Sequence, residues 1–95
     1  MRISDKTADV LISLAKRYFG DEAPLRLFGS RTNDNIRGGD IDLHIIAPKS
    51  TFRDELSFLA EVESQLDERV DLIVQRGSEL LIDEVAIKEG ILLHG

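Results

Sequence analysis

Two rhythms of apolar residues run through the 95-residue chain, one with a helical period and one alternating every second position. From Ser4 to Phe19, Leu11, Leu14, Ala15 and Tyr18 recur at helical spacing behind the capping types Ser4 and Asp5, and Gly20 is a stop. After Pro24, the run Leu25–Ser30 alternates like a strand, and the polar stretch Thr32–Gly39 reads as a loop. Ile41–Ala47 is a second strand, closed by Pro48. Thr51, with Asp54 following as in a capping box, opens a helix to about Leu66 whose apolar stripe is Phe52, Leu56, Leu59, Ala60 and Leu66. Val70–Val74 is a third strand, Gly77-Ser78 caps a last helix through Lys88, and Ile91–Leu93 forms a short edge strand. The order predicts one α/β domain over residues 1–95, without repeats or an internal boundary.

Strand alternation separates the faces. Leu25 and Leu27, then Ile41, Leu43 and Ile45, then Val70, Leu72 and Val74 form an apolar face for helices to cover. The opposite face receives Arg26, Phe28 and Ser30, then Asp40, Asp42 and His44, then Asp71 and Gln75. A polar loop between the first two strands favours an antiparallel pair, and a helix between the second and third favours a parallel crossover. Asp40, Asp42 and Asp71 then start neighbouring strands at one sheet edge, and an antiparallel first strand ends there with Gly29 and Ser30. Carboxylates gathered in this way repel unless protonated or bridged by cations. Their hard oxygens suit Mg²⁺ or Mn²⁺, and a Gly-Ser turn beside them offers N–H groups and a hydroxyl to a phosphate. Metal-dependent phosphoryl or nucleotidyl transfer needs that combination.

Composition narrows the field further. Twelve Lys+Arg against eighteen Asp+Glu leave a net charge of −6, which disfavours broad nucleic-acid binding. There is no cysteine, so thiolate catalysis and Cys-based zinc are excluded, and no apolar stretch is long enough to span a membrane. With no signal-peptide pattern after Met1, a cytoplasmic location is expected.

Gly29-Ser30-Arg31, the loop Thr32–Gly39 and Asp40-Ile-Asp42-Leu43 together resemble the GS…DxD signature of the DNA polymerase beta-like nucleotidyltransferase superfamily. Val70–Val74 resembles its third-carboxylate strand, and the small size resembles the minimal nucleotidyltransferases (MNT). The resemblance implies a two-layer nucleotidyltransferase fold, with a mixed three- to four-stranded sheet and helices packed on one face. It also implies Mg²⁺ or Mn²⁺ held by Asp40, Asp42 and Asp71, and a nucleoside triphosphate, ATP foremost, contacted by Gly29, Ser30 and Arg31. Minimal members are commonly antitoxins of HEPN-domain proteins, some adenylylating a HEPN tyrosine, so a HEPN partner is implied. Two departures stand out: nine residues separate Ser30 from Asp40, one fewer than in many members, and Thr32-Asn33-Asp34 replaces a frequent Ala-Arg-Gly.

Three functions remain open on the sequence. The first is a metal-dependent nucleotidyltransferase acting on a protein hydroxyl, its site completed by a partner chain or a second copy. The second is a non-catalytic MNT-like antitoxin acting by contact. The third is a degenerate domain, which the intact Asp40, Asp42, Asp71 and Ser30 argue against. Arg31 is divided between a phosphate and Asp34, while Arg37 and the acids between Asp54 and Glu68 read as solvated. His44 reads as surface or as support for the acids, and His94 as without a role. Phe28, Ile46 and Ile73 are candidate docking residues.

Overall fold

A computed structural model describes residues 3–29 and 41–95. Its elements are α1 (Asp5–Phe19), β1 (Leu25–Phe28), β2 (Ile41–Ile46), α2 (Phe52–Gln65), β3 (Val70–Gln75), α3 (Leu81–Glu89) and β4 (Ile91–His94). The expected loop at 32–39 lies outside the described residues. α1 begins as its capping residues foretell: Ser4 Oγ accepts the Thr7 N–H at 3.1 Å. It ends at Gly20, whose φ of +103° is a conformation that side chains with a Cβ avoid. In α2 the Thr51–Asp54 box is reciprocal, with the Asp54 N–H donating to Thr51 Oγ1 at 3.2 Å and the Thr51 N–H to Asp54 Oδ2 at 2.9 Å.

The four strands are ordered β3-β2-β1-β4. β1 runs antiparallel to both β2 and β4, whereas β2 and β3 are parallel. The expected directions are therefore observed, and the edge strand is real. One sheet face carries the core: Leu25, Leu27, Ile41, Leu43 and Ile45 pack with Leu11, Leu14 and Ala15 of α1 and Phe58 and Val62 of α2. The Phe19 and Phe58 rings meet at 5.4 Å between centroids.

Two expectations about the helices change. α2 packs through Phe58 and Val62 together with Leu59 and Leu66 of the expected stripe, whereas Phe52 and Leu56 of that stripe are 63% and 52% exposed. Apolar residues occur on more than one side of this helix, so periodicity did not single out the buried face. The second change concerns α3. Helices on one face describes α1 and α2, but α3 brings Asp83 to His44, on the face opposite the core. The strand order supplies the reason. The β2-α2-β3 crossover steps outward, and β3-α3-β4 returns past β2 and β1. Parallel crossovers keep one hand, so reversing direction moves the second helix to the other face. α3 also starts at Leu81, later than the Gly77-Ser78 cap suggested, where the Leu80 N–H donates to Asp83 Oδ2 at 2.8 Å.

Some acids read as solvated have partners. Tyr18 Oη donates to Glu61 at 3.1 Å, and Arg76 joins the end of β3 to the start of α2 through the Ser50 and Thr51 carbonyls and Glu55. His94 has a role as well: its Nε2 lies 2.6 Å from the Asp21 carbonyl, tying β4 to the turn after α1.

Candidate active site

The sheet register builds the site. Asp42 is the cross-strand partner of Asp71 on one side and of Phe28 on the other. Cross-strand partners project to the same face, so two carboxylates stand side by side near the start of two parallel strands. Asp42 is half-buried and Asp71 exposed. β1 ends at this edge and delivers Gly29 directly against Asp42. A Cβ on Gly29 would run into Asp42 Oδ2 and lie 3.2 Å from Asp42 Cγ. The glycine φ is +76°, so the turn needs a residue without a side chain both for its backbone and for the carboxylate resting on it.

Ser30, Arg31, Arg37 and Asp40 lie outside the described residues. Of the six residues expected to bind metal or nucleotide, the structure therefore brings together Gly29, Asp42 and Asp71. Among the described residues no group of three or more His, Asp or Glu could hold a metal ion. The two hard carboxylates fit a divalent cation, and the Asp42 carboxylate occupies the space that a Cβ at Gly29 would take. A cavity of about 640 Å³ opens beside this edge, lined by Arg69, Val70 and the end of α2. A second, of about 580 Å³, lies at the far edge of the sheet near Ala47 and Ser50, away from the acids.

The structure also shows what sequence reasoning missed. His44 is not a surface residue: it is fully buried and bonded to Asp83. Nothing local marked Asp83 as its partner, because an acid in the first turn of a helix ordinarily serves the helix dipole in solvent. Phe28, Ile46 and Ile73 are half-buried. The exposed apolar residues lie elsewhere, with Leu81, Ile82 and Val85 on α3 and Leu92 on β4.

A mixed sheet with paired acids at the start of parallel strands and a glycine turn against one of them is the arrangement expected of a nucleotidyltransferase. The family profile described as polymerase beta, nucleotidyltransferase matches residues 11–95, and the chain belongs to that family. Among solved structures, one of a toxin–antitoxin with AMP-PNP is similar at a TM-score of 0.78 and 22% identity, covering 93% of this chain and 73% of that one. A tri-AMPylated Shewanella oneidensis HEPN toxin in complex with MNT antitoxin is similar at 0.76 and 21%, covering 98% and 73%. The MntA–HepT toxin–antitoxin is similar at 0.75 and 20%, covering 97% and 73%. No curated protein sequence matches the chain. No helix among the described residues is long and apolar enough to cross a membrane.

Proposed function

We propose that this chain is a metal-dependent nucleotidyltransferase that moves AMP from ATP to a protein hydroxyl, acting as the antitoxin of a HEPN-type partner. The observation that carries the reading is the Asp42–Asp71 pair, in register on parallel strands with Gly29 packed on Asp42. Support comes from the relatives, one crystallised with AMP-PNP and one with an AMPylated HEPN toxin. Another is a toxin–antitoxin mutant with two aspartates, two positions apart, replaced by glutamate, the spacing of Asp40 and Asp42 here.

In this reading Asp40, Asp42 and Asp71 hold Mg²⁺ or Mn²⁺, while Gly29, Ser30 and Arg31 hold the triphosphate. The metal supplies charge neutralisation at the phosphates and lowers the pKa of the attacking hydroxyl. The acceptor oxygen bonds to the α-phosphorus, the bond to pyrophosphate breaks, and the hydroxyl proton passes to Asp71 or water. One sheet edge does little to fix an acceptor, and orientation is worth roughly 7–11 kcal/mol of barrier, so a partner that presents the hydroxyl sets the rate.

One observation favours inhibition by contact instead: α3 turns Leu81 outward at 79% exposed, with Ile82 and Val85 beside it, a surface suited to a protein partner. Labelled ATP with Mg²⁺ and a HEPN chain separates the two. Label on the HEPN chain that vanishes with Asp42→Asn supports transfer. Neutralisation that survives Asp42→Asn, without label, assigns the protein to contact inhibition.

A further inference from the structure

The reaction outlined above uses neither His44 nor Asp83, yet they are 0% and 3% exposed. His44 Nε2 lies 2.9 Å from Asp83 Oδ1, a distance at which the ring N–H donates to the carboxylate. The other carboxylate oxygen accepts the Leu80 N–H at 2.8 Å, so Asp83 is held from two directions. His44 Nδ1 is buried with no hydrogen-bond partner, which leaves Asp83 as the ring's polar anchor among the described residues. At its other end α3 presses on β1: a Cβ on Gly90 would lie 3.1 Å from the Leu27 carbonyl oxygen and 3.4 Å from Arg26 Cβ. The helix is thus fitted to the sheet at both ends, through His44 of β2 at its start and against Arg26 and Leu27 of β1 at its end.

His44 follows Asp42 on the same face of β2. Asp42 pairs with Asp71 on β3, and His44 with Ile73 in the next row. A buried polar pair is a costly way to fill space, since apolar side chains of similar volume often stabilise as well or better. What the polar pair adds is direction, because a hydrogen bond fixes distance and angle where apolar packing tolerates sliding.

We infer that His44 is a positioning residue: its bond to Asp83 locks β2 to α3 and holds Asp42 in line with Asp71 for metal–triphosphate binding. This rests on the reading of Asp42 and Asp71 as a metal-holding pair. The whole chain is titrated with Mn²⁺ in the presence of AMP-PNP, free Mn²⁺ being followed by electron paramagnetic resonance and folding by circular dichroism. The doubly apolar variant His44→Leu with Asp83→Leu, which also gives up the bond from the Leu80 N–H, is expected to fold with a Tm a few degrees below the parent's and to bind Mn²⁺ at least tenfold more weakly. His44→Gln, whose amide N–H still reaches Asp83, is expected to bind within about twofold of the parent, while His44→Met, without a donor, falls with the double variant. The Gln and Met pair decides the matter if the double variant does not fold. Parent-like Mn²⁺ affinity in a folded double variant, or equal affinity in the Gln and Met variants, overturns the positioning role and leaves the metal site standing. A parent that binds no Mn²⁺ overturns the metal reading and this role together.

Discussion

Replacing Gly29 by alanine tests whether the turn after β1 and the Asp42 carboxylate share one space. At φ +76° a Cβ costs about 1–2 kcal/mol against the carbonyl oxygen that follows it. The same Cβ would collide with Asp42 Oδ2 and come within 3.2 Å of Cγ, so the carboxylate must turn away. Moving a side chain off its preferred rotamer costs about 0.5–1.5 kcal/mol more. The sum is about 1.5–3.5 kcal/mol, which in a chain of this length lowers Tm by roughly 6–28 °C. The two parts separate in a double-mutant cycle. With Asp42→Ala in the background the carboxylate is gone, and only the backbone part of the Gly29→Ala cost remains. Urea unfolding of the four proteins at one ionic strength should therefore give a coupling of about 0.5–1.5 kcal/mol, the double variant being more stable than the singles predict. Mn²⁺ affinity of Gly29→Ala, measured while the protein is folded, should fall because Asp42 has been displaced. Effects that add to within about 0.3 kcal/mol would refute the close packing of Gly29 on Asp42.

Asp71→Asn removes a like charge beside Asp42, so without metal the protein should unfold at the same temperature or higher, gaining up to about 1 kcal/mol, while Mn²⁺ binding is lost. A marked loss of metal-free stability would show that Asp71 supports the fold. Arg76→Ala deletes donors to the Ser50 and Thr51 carbonyls and to Glu55. It should cost about 1–2 kcal/mol in denaturant titration, moderated by solvent at a partly exposed guanidinium, with Mn²⁺ affinity unchanged because α2 starts at the far edge of the sheet. Thr51→Ala removes the acceptor for the Asp54 N–H and should cost about 1 kcal/mol by the same measurement. Phe58→Ala empties the centre of the core and should cost about 3–5 kcal/mol, visible as loss of cooperative unfolding near 37 °C.

Period-two alternation is a local property, and it made the most useful part of the site legible. Because successive strand residues face opposite ways, the run Ile41–Ile46 had to divide into an apolar set and the set containing Asp42 and His44. Connection length settled the strand directions, and those directions placed Asp42, Asp71 and Gly29 at one edge. Capping chemistry set the starts of α1 and α2 at Ser4 and Thr51, since a cap is made by residues three apart. What the sequence left open depended on strand order. The side on which α3 lies follows from β4 pairing with β1 across the sheet, which no window of residues around Leu81–Glu89 records. That placement buried His44, gave it Asp83 thirty-nine residues away, and left Leu81 and Val85 facing outward instead of into a core. The core face of α2 was ambiguous for a related reason. Phe52 and Leu56 are as apolar as Phe58 and Val62, and the contact with α1 and the sheet determines which pair is covered. Local chemistry fixed which residues can share a face, whereas the crossing of the chain over its own sheet decided which faces are closed.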